Sequence, residues 1–351
     1  MRKRIPKWFM LMVGILVVAF FALPNAADSA KAKKKKKKDV PLQTERAVVG
    51  KVRIAFSESS TAIVPLVAME KGFLKAEGIE YEAKPVKSGR MALSSVYGGS
   101  LDIGTAAGSR LIQWSAKGWN MKAISVNNTG FLAVVLVKKD DTTSKTMADL
   151  KGKKIAIQKG SGTHVVWLRY LDALGLNEKM FTMAYMRTSR IGAAMGTGTV
   201  DAGVPWYPFA RSILNRGLAR EIISEKEIGK VAKSPYPFLL YARSSFIEKH
   251  PKTIQGVVNA WVKSKQWIEA NREEAAKIYH KFSTRRGKKL KMEDAAFFVN
   301  ILGFKENVWN DPMVADLDAS AKIMKKLGRL KKIPDFRSNI DNRFVNKAGS
   351  M

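Results

Sequence analysis

From about residue 50 onward, short apolar runs of strand length alternate with longer segments of helical spacing. Val52-Arg53-Ile54-Ala55-Phe56 reads as a buried strand, Ser57 to Thr61 as a polar loop, and Ala62 to Gly72 as an apolar helix. Ile79 to Val86 reads as the next strand; the polar junction Ser88-Gly89 then opens a helix, and Leu101-Asp102-Ile103 begins a third strand. The same order then restarts. Lys153 to Ile157 is a strand, Lys159 to Thr163 its loop, and His164 to Leu174 a helix closed by Gly175. Phe181 to Met186, the junction Thr188-Ser189 and Val200-Asp201-Ala202 complete the second round. Strand, helix, strand, helix, strand, twice over, predicts two lobes of right-handed parallel units, an α/β architecture.

A short repeat supports the duplication. Gly98 to Gly104 reads Gly-Gly-Ser-Leu-Asp-Ile-Gly, and Thr197 to Gly203 reads Thr-Gly-Thr-Val-Asp-Ala-Gly. Two similar lobes facing one another form a cleft, where a small molecule is held. Asp102 and Asp201 are expected to be turn residues satisfying backbone donors, not catalytic acids.

The N-terminal segment has a different character. Arg2, Lys3, Arg4 and Lys7 precede an apolar run from Trp8 to Leu23, then Pro24 and small residues to Ala30, the pattern of a secretory signal peptide over 1–30. Ala27-x-Ser29 and Ala30-x-Ala32 are alternative cleavage patterns, and an uncleaved anchor is the alternative to cleavage. Lys31 and Lys33 to Lys38 oppose the usual placement of positive flanks; residues 31–49 are expected to be a disordered, Lys-rich linker, suited to contact with an anionic membrane surface.

Composition removes several function classes. With no cysteine there are no disulfides, thiolate metal sites, cysteine nucleophiles or lipoprotein anchor. The net charge of +32 divides into +10 from residues 1–38, with eleven Lys or Arg and one acid, and +22 spread over the rest. Without a basic stripe interleaved with aromatics, a zinc spacing or an RNA-binding signature, no nucleic-acid partner is expected. Three scattered histidines give no metal pattern, and no cofactor is implied.

The run Pro65-Leu66-Val67-Ala68-Met69-Glu70-Lys71-Gly72-Phe73-Leu74-Lys75-Ala76-Glu77-Gly78, with Gly99 to Gly104, Met147 to Ala156, Gly160 to His164 and Val200 to Ala202, resembles the substrate-binding proteins of ABC importers for nitrate, sulfonates and taurine. The resemblance covers about residues 50–270. It implies a two-lobed, type II periplasmic-binding fold, each lobe a mostly parallel sheet flanked by helices. The chain would cross along Phe131 to Val137 and return near Pro235-Tyr236-Pro237, giving lobe one as 50–137 plus 240–345 and lobe two as 138–239. The function implied is a monomeric, exported, non-enzymatic receptor that delivers a small, anionic organic ligand to an ABC permease. An enzyme on the same fold, of the pyrimidine-synthase or menaquinone-pathway type, and a receptor of a tripartite carboxylate transporter are the alternatives.

Ligands of open α/β sheets sit beyond the carboxyl ends of the strands, where helix N-termini present free amides. The candidate contacts are therefore Ser59, Ser60 and Thr61; Ser88 and Gly89; Thr105, Ala106 and Ala107; Asn127 and Asn128; Ser161, Gly162, Thr163 and His164; and Ser189. For any single serine, an ordinary helix cap is the competing role. Trp206-Tyr207-Pro208 follows the second repeat where the family often has Trp, an acid and Pro. Tyr207 in place of the acid argues against a ligand carrying an amine. Trp206 and Tyr207 either stack on a flat or apolar part of the ligand or pack the hinge. His164 is a candidate donor without a nucleophile or acid partner nearby in sequence, so no catalytic residue is expected.

Overall fold

The β-branched and aromatic runs form ten strands in a computed structural model that describes residues 50–348. The expected signal peptide or anchor and the whole Lys-rich linker lie outside the described residues. The strands are β1 Val52–Ser57, β2 Tyr81–Val86, β3 Ile103–Ala107, β4 Met121–Asn128, β5 Val135–Lys138, β6 Lys154–Ile157, β7 Thr182–Tyr185, β8 Ala202–Gly203, β9 Ala219–Ile223 and β10 Phe238–Arg243. They make two five-stranded sheets, ordered β2-β1-β3-β10-β4 and β7-β6-β8-β5-β9.

Each sheet is mixed in one specific way. β1 pairs parallel with β2 and β3, and β10 runs antiparallel to both β3 and β4, so four strands share a direction and β10 alone opposes them. In the second sheet β6 pairs parallel with β7 and β8, and β5 opposes β8 and β9. The reversed strand is the one that arrives from the other sheet: β5 follows β4, and β10 follows β9. Val135 to Val137, placed with the first lobe by the sequence, pair with β8 and β9 and so belong to the second sheet. A buried strand reads the same whichever sheet receives it, so side-chain pattern alone does not locate the crossing.

The repeated motif has matching work in both sheets. Asp102 Oδ2 accepts the Arg53 amide at 2.8 Å, and Asp201 Oδ2 accepts the Lys154 amide at 2.8 Å. Each aspartate thus serves a backbone donor at the start of the neighbouring strand. Asp102 also takes the Arg53 guanidinium at 2.7 and 3.1 Å. The closing glycines are sites of close approach. A Cβ on Gly104 would lie 2.5 Å from the Tyr241 ring, and one on Gly203 would lie 2.6 Å from Ile191 Cγ2.

Helices cover the sheets with their apolar faces inward. The longest, Pro251–Ala270, starts with proline at its first turn and buries Ile254, Val257, Val258, Trp261 and Ile268. It also buries Lys265, whose ammonium donates to the carbonyls of Val126 and Glu306, both at 2.6 Å. Those two bonds tie the segment before helix Asp311–Lys326 to β4.

Candidate ligand-binding cleft

The carboxyl ends of β1, β2, β3, β6, β7 and β8 all open onto one cleft of about 1190 Å³ between the sheets. Beyond β1, the hydroxyls of Ser57, Ser59 and Thr61 form a triangle: Ser59 lies 2.8 Å from Ser57 and 2.9 Å from Thr61, with Ser57 3.4 Å from Thr61. Three hydroxyl protons shared among three oxygens let one turn outward to a ligand. Ser88 caps helix Gly89–Tyr97 by accepting the Met91 amide, and Ser161 caps helix Gly162–Ala173 by accepting the His164 amide. Each cap serves the third amide of its helix, so the first two, Gly89-Arg90 and Gly162-Thr163, are those that helix geometry leaves open. All four of these residues line the cleft. Gln158 Oε1 accepts the Thr188 amide at 3.1 Å and so steadies the start of helix Thr188–Gly196.

Charge in the lining is one-sided. Ten Lys or Arg side chains face two carboxylates, Glu58 and Asp294, and both acids are already engaged. Glu58 holds Arg286 at 2.5 Å and Lys288 at 3.5 Å. Burial works against ionising Glu58, but those two cations hold it below the ordinary carboxylate range. Asp294 takes Arg211 at 2.5 Å and Asn215 at 3.0 Å. Arg110, by contrast, donates to the neutral side chain of Gln113 at 2.6 Å and has no carboxylate partner among the described residues. Burial, reinforced by the like charge of Arg90, pulls its pKa below the ordinary arginine value, with Tyr236 and Tyr241 opposing. A half-buried guanidinium of this kind is stabilised by an incoming anion. The rest of the wall is aromatic and aliphatic: Phe131, Leu132, Trp206, Tyr207, Tyr236, Phe238 and Phe298.

A profile of the NMT1-like family matches residues 46–280. The chain belongs to the NMT1-like family. A protein of Escherichia coli (strain K12) named for binding aliphatic sulfonates is 28% identical over 235 residues, 66% of this chain and 70% of that one. The crystal structure of the periplasmic aliphatic sulphonate binding protein SsuA from Escherichia coli aligns with a TM-score of 0.71 at 23% identity, covering 83% of this chain and 92% of that one. The alkanesulfonate-binding protein SsuA from Xanthomonas axonopodis pv. citri, bound to MOPS, aligns at 0.67 and 20% identity, covering 85% and 99%. By profile, relatives and structure, this NMT1-like chain matches the nitrate, sulfonate and taurine substrate-binding proteins of ABC importers. Its fold is the two-lobed type II periplasmic-binding fold. Among the described residues, no cluster of three or more His, Asp or Glu is placed to hold a metal, and no helix is long and apolar enough to cross a membrane.

The NMT1-like cleft brings together most of the residues singled out from sequence. Ser59, Thr61, Ser88, Gly89, Ala106, Ala107, Ser161, Gly162, Thr163, Ser189, Trp206 and Tyr207 line it. Ser60, Thr105, Asn127, Asn128 and His164 lie behind the lining, all buried. Asn127 is a hub there: it donates to the Thr61 carbonyl at 3.0 Å and accepts from the Trp261 indole at 2.9 Å, fixing the hydroxyl triangle against β4. His164 accepts the Gly160 amide on Nδ1 at 2.8 Å, which leaves the proton on Nε2, 2.7 Å from Glu178. It holds the loop that presents Ser161 and Gly162. Tyr207 turns its hydroxyl away to Glu221 at 3.2 Å, and its ring packs edge-on against Phe297.

Arg110 and the residues of the C-terminal third were not anticipated. Arg110 directly follows Thr105 to Ser109, but a lone arginine opening the short helix Ser109–Ser115 reads as a solvated face. Tyr279, Ser283, Lys288, Asp294, Phe298 and Arg329 reach the cleft from segments that pack as ordinary helices and turns. Several contacts tie the two sides together. Arg211 meets Asp294, Arg169 meets Asp316 at 2.5 Å, and Arg329 donates to the Lys159 carbonyl at 3.2 Å. Arg329 lies where a Cβ on Gly160 would stand, 1.9 Å from its Cζ.

Proposed function

We propose that this chain is an extracytoplasmic receptor that closes its two lobes around a small organic anion and presents it to an ABC permease. The observation that carries this reading is Arg110: a half-buried cation without a carboxylate, in a cleft that also gathers open helix N-termini and a hydroxyl triangle. The anionic head group is assigned to Arg110, the amides of Gly89 and Gly162 and the hydroxyls of Ser59 and Thr61, with Ser189, Ala106 and Ala107 shaping the wall. The apolar part lies on Trp206 and Phe131. The aliphatic-sulfonate relatives favour a sulfonate or carboxylate head. Residues 1–30 direct export or stay as an anchor, and the Lys-rich stretch meets anionic lipid head groups in this reading.

Calorimetric titration of the full chain with alkanesulfonates and alkanecarboxylates tests the assignment. A bound member at one hundred times its dissociation constant adds roughly 2.7 kcal/mol to thermal stability. Arg110→Gln then weakens it by about 10- to 100-fold, the worth of a charge-assisted hydrogen bond at roughly 1.5 to 3 kcal/mol. Unchanged affinity in Arg110→Gln removes Arg110 from the site. Chemical conversion of the bound compound by the chain alone overturns the receptor reading.

A further inference from the structure

The chain crosses between the sheets twice, and the two crossings meet at one residue. β4 leads through residues 129–134 into β5, and the return from β9 passes helix Glu225–Val231 and residues 232–237 before β10. The Gly130 amide donates to the Pro235 carbonyl at 2.9 Å, and the amide of Gly108, at the start of the helix that carries Arg110, donates to the Pro237 carbonyl at 2.7 Å. Tyr236 lies between those two bonds. Its ring packs edge-on against Phe131 of the first crossing and Phe238 of β10, with centroids 5.2 and 5.5 Å away.

The backbone there is held in a conformation that side chains resist. Among the described residues, two non-glycine residues have a left-handed φ, Lys233 at 48° and Tyr236 at 45°, and both belong to the return crossing. Tyr236 also precedes a proline, which favours extended backbone. A bulky residue at positive φ persists only where surrounding contacts hold it, which singles out a position whose side chain must point one way. That direction is into the cleft. Tyr236 lines it, half-buried, and a Cβ on Gly162 would stand 2.2 Å from its hydroxyl and 3.4 Å from Ser109 Oγ. Only a residue without a side chain lets the start of helix Gly162–Ala173 come so close. No described residue hydrogen-bonds the Tyr236 hydroxyl. Burial pushes its pKa up to about 12, with the nearby Arg110 cation opposing and Asp316 adding to the rise, so near neutral pH the phenol keeps its proton and remains a donor. Donors on three parts of the fold are thus gathered at one end of the cleft: Arg110 on the first lobe, the Gly162 amide on the second, and Tyr236 on the crossing between them.

We infer that Tyr236 is a specificity-determining residue of the cleft, its hydroxyl donating from the crossing to the same anionic group that Arg110 holds. The inference rests on the receptor reading and adds to it the residue that selects where the head group sits. A donor on either lobe rewards binding to that lobe alone. One on the crossing is met only by a head group seated on the hinge side of the cleft, where the two lobes come together, and not by one held at the rim.

The test is calorimetric titration of the full chain with 1-butanesulfonate, benzenesulfonate and pentanoate, for the native protein, Tyr236→Phe and Arg110→Gln, beside urea unfolding of each without ligand. Tyr236→Phe keeps the ring that packs on Phe131 and Phe238 and removes a hydroxyl that makes no bond within the fold. It should therefore weaken whichever compound binds by about tenfold, the worth of a hydrogen bond to a charged group, with its urea midpoint at or above the native value. Unchanged affinity overturns the inference, and so does a loss of affinity accompanied by a lower urea midpoint, which would give the hydroxyl to the fold. Weakening by Arg110→Gln in either case leaves the receptor standing without Tyr236. If none of the three compounds binds the native chain, Tyr236 and the anion receptor fall together.

Discussion

Gly104→Ala perturbs the molecule at the last glycine of its repeated motif, and its cost follows from the geometry there. Gly104 sits on β3 opposite Tyr241 on β10, and an added methyl carbon would lie 2.5 Å from both Cζ and Oη of that ring and 3.0 Å from Cε2. Carbon atoms rest about 3.5 to 4.0 Å apart, so ring or strand must shift by about 1 Å. The ring has little freedom to do so: Tyr241 is wholly buried, and Trp114 packs on it with ring centroids 5.4 Å apart. Overpacking of this kind costs about 1 to 3 kcal/mol, with the upper half expected where strands on both sides hold the backbone. Tyr241→Phe supplies the second corner of a double-mutant cycle. The tyrosine hydroxyl is buried without a partner, so its removal alone is neutral or stabilising by about 1 kcal/mol. In the double variant the Oη clash is gone, and the cost of Gly104→Ala should fall by about 1 kcal/mol. Urea unfolding of the four chains measures all the terms. A Gly104→Ala penalty below about 0.5 kcal/mol, or strict additivity of the two substitutions, would refute the close-approach account.

Two further predictions concern closure and pH. Asp294→Asn keeps the shape but removes the charge that Arg211 meets across the cleft, shifting the balance toward separated lobes by about 1 kcal/mol, roughly fivefold. Small-angle scattering of the ligand-free variant should report a larger radius of gyration, and a curve superimposable on that of the native chain would remove this contact as a latch. Burial lowers the pKa of Lys265 to about 7. The unfolded chain therefore binds the extra proton between about pH 7 and the ordinary lysine value near 10.4, so stability rises with pH through that window. The neutral amine keeps two N–H bonds, enough for both carbonyls. Lys265→Met should flatten this slope in urea midpoints measured from pH 7 to 10, and parallel slopes would show that Lys265 does not titrate there.

The scaffold was more legible in the sequence than the site. The two rounds of strand and helix, the paired Asp-x-Gly turns and the loops beyond β1, β2, β3, β6 and β7 are local patterns, and local patterns survive in one dimension. What escaped is set by packing between distant segments. Asn127 and His164 are polar residues near the expected cleft, but their hydrogen bonds point to Thr61, Trp261, Gly160 and Glu178, so they brace the lining from behind. Arg110 is three positions beyond Ala107, the last residue of the stretch read as a ligand loop, and only the absence of a carboxylate around it in three dimensions distinguishes it from a surface arginine. Ser283 and Lys288 belong to helix and turn residues whose spacing signals only a packed face. The reversed direction of β5 and β10 likewise depends on which sheet receives each strand, and hydrophobic pattern does not encode that.

The placement of β10 between β3 and β4 has a consequence for how the polypeptide is made. The second sheet draws all its strands from Val135 to Ile223, so it can be finished as soon as that stretch is available. The first sheet cannot: β3 ends at Ala107 and β10 starts at Phe238, about 130 residues later. At synthesis rates of about 5 to 20 residues per second, β3 and β4 wait roughly ten seconds with facing edges unpaired. Open, apolar edges are templates for pairing with other chains. The earlier-made half therefore remains unfinished longest, so a chain cut before Phe238 should aggregate even though its second sheet is complete.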